Sequence, residues 1–123
     1  MRVIEQQMCA AIRARRNMTR GNTRVEIANT LGNWRVYLHG NLIATGGSAG
    51  LSVTLAGWGT VTTRSRVNAL LRAFAQGGAY VYQSKHAQHF AQWGEHRPVD
   101  SSEWIRPTTG GERAAAQGAE VRS

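Results

Sequence analysis

The stretch "WRVYLHGNLIAT", residues 34–45, decides the expected fold. Its first half places apolar side chains at every second position, which is the period of a half-buried strand. These positions are Trp34, Val36 and Leu38. The Gly40-Asn41 pair then turns the chain into a second strand-forming run, as in a β-hairpin. The stretch therefore predicts two neighbouring strands of an antiparallel sheet with one apolar and one polar face.

Further strands are predicted on both sides of this hairpin. Upstream, residues 24–27 alternate between polar and apolar side chains, and an "LGN" turn at residues 31–33 leads into the hairpin. Downstream, the glycine-rich segment 46–50 connects to "LSVTLAG", residues 51–57, which alternates again. These signals predict a meander of four antiparallel strands. Residues 79–85, "AYVYQSK", are either a fifth strand or an extended segment packed on the sheet.

Two helices are expected to cover this sheet. Apolar residues recur at helical spacing in residues 2–18, and again in residues 60–74, "TVTTRSRVNALLRAF", after threonines that can cap a helix. On the first helix, the face opposite the apolar stripe gathers Arg13, Arg16 and Arg20. Arg66 flanks the apolar stripe of the second helix. The solvent face of that helix repeats every four residues and consists of Arg64, Asn68 and Arg72.

The order of these elements predicts an α+β domain at residues 1–105, in which the helices pack on one face of the antiparallel sheet. The pattern weakens after residue 85. Residues 86–93 are consistent with a helical turn, and residues 101–105 with the start of another. Residues 106–123 lack an apolar stripe, so we expect them to form a flexible tail.

Charge is the most informative bulk property of the chain. Fifteen Lys and Arg residues oppose seven Asp and Glu residues, for a net charge of +8. Residues 1–90 hold eleven of these cations and only Glu5 and Glu26 as carboxylates, so the excess belongs to the folded part. All the cations except Lys85 are arginines, whose planar guanidinium binds phosphate in a bidentate manner. The balance indicates an acidic partner such as DNA; a genomic codon bias toward arginine is the alternative explanation.

Other classes of function find little support in the sequence. Cys9 is the only cysteine and lies beside an apolar helix stripe, so we expect a buried thiol and no cysteine-based zinc site. Two carboxylates in residues 1–90 are too few for the metal ligands of a nuclease, and the His86/His89 pair has no further ligand type beside it. We therefore expect no catalysis and no metal or other cofactor. No apolar run has the length of a membrane span, so no membrane association is expected.

Two stretches resemble a pattern found in small, mostly uncharacterised proteins of tailed bacteriophages, particularly short-tailed ones: "VYLHGNLIA" and "GWGTVTTRSRVNALL". "EQQM", residues 5–8, is similar to the N-terminal helix of those proteins, and Val67 stands where leucine is commoner. The resemblance covers residues 1–83 and implies a shared fold. In charge and size, the chain is also similar to small phage proteins that act as histone-like DNA binders or modulate host transcription.

These observations lead to one main functional hypothesis. We expect a phage-encoded, histone-like protein that binds DNA, with duplex favoured and little sequence preference, and so alters DNA compaction or transcription. Phosphate contacts would supply the affinity, and a homodimer would double the charge. The expected location is the host cell cytoplasm, in association with the nucleoid.

The DNA-binding hypothesis requires that cationic side chains from distant segments converge on one surface. The candidate residues are Arg13, Arg16, Arg20, Arg24, Arg35, Tyr37, Arg64, Arg66, Asn68, Arg72 and Lys85. If these side chains point in different directions, they are only solvated charged faces. A different class of function is also open: an effector that binds and inhibits an acidic host protein, such as RNA polymerase or a nuclease.

Overall fold

A computed structural model of the chain describes residues 1–28 and 32–122, and the side chains of residues 1–28 and 32–117. The predicted "LGN" turn begins at Leu31, outside the described residues. The helices are α1 (Val3–Arg13), α2 (Val61–Phe74) and α3 (Gly110–Arg122). The strands are β1 (Met18–Arg20), β2 (Thr23–Ile27), β3 (Trp34–Leu38), β4 (Asn41–Gly46), β5 (Ser52–Val53), β6 (Tyr80–Ser84), β7 (Ala87–Gln92) and β8 (Glu95–Val99). The predicted α+β class is confirmed.

Strands β1 to β5 form an antiparallel meander in the order of the sequence. Val25 lies opposite Val36, which lies opposite Ala44, and all three side chains are buried. The β3–β4 hairpin turns at His39 and Gly40, whose φ angles of 52° and 78° are those of a type I′ turn. The four predicted strands are confirmed as β2 to β5, and β1 adds a fifth strand at the upstream edge.

The first helix is shorter than predicted. It ends at Arg13, and Arg15 has a left-handed φ of 53°, so the chain reverses before β1. The side chain of Asn17 accepts a hydrogen bond from the last amide of β2 at 2.8 Å, and Met18 begins the pairing with that strand. The prediction of a helix over residues 2–18 was wrong at its C-terminal end, because the edge of β2 offers backbone partners to this segment.

Helices α1 and α2 lie side by side on the inner face of the five-stranded sheet and run in the same direction. The Cys9 thiol lies 3.8 Å from the carbonyl oxygen of Ala69, and the Arg13 guanidinium lies 5.2 Å from the centre of the Phe74 ring. Contacts advance along both helices together, so both C-termini lie at the same end of the molecule. The core between the helices and the sheet includes the fully buried Met8, Val36 and Leu70.

Strands β6, β7 and β8 form a second antiparallel sheet, which the sequence did not predict. Residues 79–85 were correctly predicted as extended, whereas residues 86–93 are a turn and strand β7 rather than a helical turn. The β6–β7 hairpin turns at Lys85 and His86 with φ angles of 50° and 67°, although neither is the glycine or asparagine that usually signals such a turn. Pro98 fits in β8 because β8 is an edge strand.

The inner face of this second sheet packs toward α2 and extends the hydrophobic core. Its buried members are Val81, Phe90 and Val99. In β6 only Val81 is buried, whereas in β7 four of the six residues are buried. The core therefore spans both sheets, with α2 between them.

The chain after β8 returns to the five-stranded sheet before α3 begins. Residues 101–105, predicted as the start of a helix, form a turn that ends in a β-bridge between Ile105 and Val53, because the edge of β5 is open there. The Gln92 amide accepts a hydrogen bond from the Thr108 N–H at 2.9 Å and donates one to its carbonyl at 2.7 Å.

Most of the segment predicted as a flexible tail, residues 106–123, is helix α3. Its alanine, glutamate, arginine and glutamine residues favour a helix even without an apolar stripe. The Gln76 side chain accepts a hydrogen bond from the first amide of α3 at Gly110, which ties the helix start to the loop after α2. Among the described helices, none is long and apolar enough to cross a membrane.

Candidate nucleic-acid interface

Both carboxylates of residues 1–90 are occupied by arginines. Arg66 pairs with Glu5 at 2.8 Å, and Arg35 pairs with Glu26 at 3.1 Å. Beyond residue 90, two carboxylates pair with arginines of their own region, in the pairs Arg97–Glu103 and Arg106–Glu112. Within the described residues, the other nine cations of residues 1–90 have no carboxylate at salt-bridge distance.

Four of these cations lie where α1 and α2 end, and we call this surface the basic end: Arg13, Arg15, Arg16 and Arg72. Arg13 and Arg72 stand in the last turns of the two helices, and all four side chains are exposed. A Cβ at Gly32 would lie 3.3 Å from Nε of Arg15, so the Arg15 side chain packs on the loop before β3. Arg15 was missing from the predicted set.

The two parallel helices also direct the negative ends of their dipoles at the basic end. Each helix end carries about half a negative charge, and an exposed cation there gains about 0.3–1 kcal/mol. Two helix ends therefore offset roughly one of the four positive charges. The basic end keeps a net positive charge that the fold does not neutralise.

The outer face of the five-stranded sheet carries a second, smaller set of predicted residues. The Arg24 guanidinium lies 4.2 Å from the centre of the Tyr37 ring, which is a cation–π distance. Arg35 is neutralised by Glu26 beside it on the same face. One side of the Tyr37 ring is covered by Arg24, so this face offers one cation without a carboxylate and a partly occupied ring.

The predicted solvent face of α2 is largely an interface with the second sheet. Nη1 of Arg64 donates hydrogen bonds to the Gly59 carbonyl at 2.7 Å and to Oε1 of Gln83 at 2.9 Å. The Asn68 amide accepts from the Val81 N–H at 2.7 Å and donates to the Val81 carbonyl at 2.9 Å. Asn68 thus satisfies the open edge of β6. Of the repeat of three polar residues, only Arg72 is exposed.

Arg66 is buried, with 4% of its surface exposed, so it has no access to a nucleic acid. Its Nη1 donates to Oε2 of Glu5, and its Nε donates to Oγ1 of Thr23 at 3.0 Å. Ser65 donates to the same Glu5 oxygen at 2.6 Å. Burial opposes ionisation of Glu5, but the hydrogen bonds from Ser65, the Arg2 amide and Arg66, with the Arg66 charge, outweigh it and lower the pKa of Glu5.

The remaining predicted residues lie apart from these groups. Nε of Arg20, in β1, donates to Oε1 of Gln7 at 2.8 Å, at the edge of the sheet near α1. Lys85 lies in the β6–β7 turn. The predicted set therefore does not form one patch: it divides among the basic end, the outer face of the first sheet, the α2 interface, the core and single peripheral sites.

The outer face of the second sheet carries a group of four rings, which we call the aromatic face: Tyr80, Tyr82, His89 and His96. The Tyr82 and His89 rings are stacked, with centroids 5.1 Å apart and 13° between their planes. The Tyr82 hydroxyl lies 2.8 Å from Nδ1 of His96. These four rings are brought together only by the pairing of β6, β7 and β8, which the sequence did not predict.

Residues 1–113 match the family described as Kyanoviridae Gp96 protein. The chain belongs to this phage protein family. No curated protein and no solved structure matches the chain. The phage origin implied by the sequence resemblance is thus confirmed, whereas the family description names no activity.

The Kyanoviridae Gp96 match extends beyond residue 83, where the sequence resemblance ended. It includes β7, β8 and the start of α3, so the aromatic face lies within the family region.

Cys9 is buried as expected, and burial raises the pKa of its thiol. In the described part of the chain, no three His, Cys, Asp or Glu side chains come together as a metal site.

Proposed function

We propose that this phage protein binds DNA through the phosphate backbone, with little sequence preference, and that the basic end is its main contact surface. The observation that carries the proposal is the pairing of charges. Glu5 and Glu26 neutralise Arg66 and Arg35, and the basic end has no carboxylate of its own in the described residues. A histone-like role in compaction or transcription of DNA in the host cytoplasm is the corresponding biological proposal.

The size of the expected effect follows from counterion release. Each phosphate contact on duplex DNA contributes about −0.9 to the slope of log affinity against log salt. The four arginines of the basic end would give a slope of about −3 to −4. A homodimer would double this value, so the slope and the oligomeric state are measured together.

The test is fluorescence anisotropy with two labelled duplexes of unrelated sequence at several salt concentrations. We expect similar affinities for both duplexes and the slope given above. Arg72→Gln should reduce the slope by about one unit. Arg97→Gln is the matched control, because it makes the same change in net charge at an arginine already paired with Glu103. Absence of binding at low salt would exclude the proposal.

A second candidate function, an effector of an acidic host protein, is favoured by the opposite end of the helix pair. Val3 and Val61 begin the two parallel helices and are 67% and 65% exposed. Trp58, just before α2, is 58% exposed and lines a cavity of about 430 Å³ together with Leu38 and Ile43. We call this surface the apolar end. Large exposed apolar side chains near a cavity are typical of protein contacts.

Affinity capture from host lysate separates the two candidates. An effector should retain its partner after nuclease treatment and lose it in the Trp58→Ala variant. The DNA-binding role predicts that nuclease releases all captured material and that Trp58→Ala has no effect. The Arg72→Gln variant tests electrostatic attraction in both cases, so it does not replace the Trp58 variant.

A further inference from the structure

We propose that the aromatic face is a stacking surface for the bases of single-stranded nucleic acid. The inference rests on the proposed function, because it gives a protein that attracts the phosphate backbone a separate site for unpaired bases. It concerns the second sheet, whereas the contacts with duplex DNA proposed above concern the helix ends.

The four rings hold one another in place. Tyr82 is central: its ring centroid lies 5.1 Å from that of His89, 5.5 Å from that of Tyr80 and 5.7 Å from that of His96. All four side chains lie on the same face of the sheet, because Tyr80 and His96 both pair with Ala91 of the middle strand, and Tyr82 pairs with His89. Rings fixed in this way lose little conformational entropy when a base stacks on them.

The composition of the face favours bases over an apolar partner. Within the described residues, the outward positions of the three strands hold no leucine, isoleucine, valine or phenylalanine; besides the four rings they are Ser84, Ala87, Ala91 and Pro98. Every base offers a π-face to a tyrosine or histidine ring regardless of sequence. Lys85 and His86 border the face at the β6–β7 turn, and they suit a phosphate backbone running past the rings.

A groove connects the aromatic face with the basic end. Its volume is about 560 Å³, and its lining includes Arg72 of the basic end, Tyr80 of the aromatic face and Glu5, whose carboxylate is paired with Arg66. Tyr80 is 42% exposed, so its ring is available to a ligand in the groove. A single strand with a phosphate at Arg72 can therefore direct its next bases toward Tyr80 and Tyr82. Proteins that bind single strands commonly combine cations that contact the backbone with aromatic side chains that stack on the bases, and Arg72 and the two tyrosines are residues of these two kinds.

The experiment compares binding of a labelled 12-nucleotide oligothymidine and a 12-base-pair duplex by fluorescence anisotropy. The Tyr80→Ala/Tyr82→Ala variant should bind oligothymidine roughly ten-fold or more weakly. Its affinity for the duplex should stay unchanged. The Tyr80→Phe/Tyr82→Phe variant keeps the rings and should retain most of the single-strand affinity. Trp104→Ala is the matched control, since Trp104 is an exposed aromatic (46%) outside the aromatic face and the basic end.

Two further measurements keep the outcome unambiguous. The first is a fallback variant for the case in which Tyr82→Ala disturbs the sheet. Tyr80→Leu, at an exposed position, removes the π-system without creating a void, and on its own it should weaken oligothymidine binding. NMR titration should shift the His89 and His96 ring signals on adding oligothymidine but not duplex. If the wild type binds duplex while all tyrosine variants bind oligothymidine as the wild type does, this inference is overturned and the proposed function stands. If the wild type binds neither nucleic acid, both fail.

Discussion

Arg66 and Arg72 belong to the same helix, yet their environments are opposite. Arg66 is 4% exposed and gives its hydrogen bonds to Glu5 and Thr23, whereas Arg72 is exposed beside a groove. The difference comes from Glu5, which lies far away in sequence and supplies the carboxylate for Arg66 alone. The same type of side chain therefore stabilises the fold at position 66 and remains an exposed cation without a carboxylate at position 72.

The same contrast separates the two ends of the parallel helices. Near their N-termini, a buried network joins α1, α2 and β2 through Glu5, Ser65 and Arg66. At their C-termini, the basic end has no such network in the described residues. The buried pair fixes how the helices lie, and the basic end is the part of this arrangement that remains available for a ligand. Four predictions test this division of roles.

The largest effect is expected from removing Arg66. Arg66→Met leaves the Glu5 carboxylate buried without its cation, which should lower the free energy of unfolding by about 3–5 kcal/mol. Arg72→Met is the matched control and should change it by no more than about 1 kcal/mol, which is the most that an exposed cation gains from a helix end. Urea unfolding measures both. If both variants lost the same free energy of unfolding, the burial of Arg66 beside Glu5 would contribute no more to stability than the exposed Arg72 does.

The second prediction concerns acidification. Since the pKa of Glu5 in the folded protein lies below its ordinary value of 4.5, its ionised form stabilises the fold fully above that value. This contribution is lost as the pH falls through the lowered folded pKa. Urea unfolding between neutral pH and pH of about 3 should therefore show a steep loss of stability, which Glu5→Gln makes shallower.

Two other carboxyl groups also contribute to the loss of stability at low pH. Hydrogen bonds from Ser102 lower the pKa of Asp100, and a hydrogen bond from Arg97 lowers that of Glu103. Both remain in Glu5→Gln, so some loss of stability on acidification persists. A smaller change of slope in Glu103→Gln than in Glu5→Gln would support Glu5 as the larger contributor, whereas an unchanged slope in Glu5→Gln would contradict the assignment.

A smaller effect is expected at the interface between α2 and the second sheet. Asn68→Ala leaves the N–H and carbonyl of Val81 without their side-chain partner, which should cost about 1–3 kcal/mol. Hydrogen exchange at the Val81 amide should accelerate more than exchange in the five-stranded sheet. Asn68→Asp keeps the acceptor for the Val81 N–H, so it should protect that amide better than Asn68→Ala does.

The sequence predicted four of the five strands of the first sheet, β2 to β5, and helices α1 and α2, because their residues alternate or repeat at the expected periods. It missed the second sheet for two physical reasons. The β6–β7 turn uses Lys85 and His86 at positive φ, without a glycine or asparagine to mark it. In β7, the polar Gln88 and Gln92 are buried and hydrogen-bonded, which removes the alternation of a half-buried strand.

The candidate site was harder to predict than the fold, since it depends on contacts between distant segments. The four-residue repeat Arg64, Asn68 and Arg72 indicated a solvent face, yet polar residues can equally satisfy the edge of a strand, as Asn68 does for β6. The position of Arg66 beside the apolar stripe was the one available signal of its burial. The parallel direction of α1 and α2, which creates the basic end, has no signature in either helix alone.

The smallest effect on stability is expected at Arg16. This residue also separates most clearly a role in complementing the helix dipole from a role in binding phosphate. Arg16 follows α1 and is exposed, so Arg16→Gln removes a favourable interaction with the helix dipole of at most about 1 kcal/mol. If Arg16 only complements the dipole, thermal unfolding should record that small loss and DNA binding should be unaffected. If the basic end binds phosphate, the salt slope should fall by about 0.9 at the same time.

Because the dipole is screened by salt while a lost contact changes the slope itself, the two roles are separated by measuring stability and binding across the same salt series. A change in stability without a change in slope would leave the arginines of the basic end as helix caps, and the division between a structural and a ligand-binding end of the helix pair would not hold.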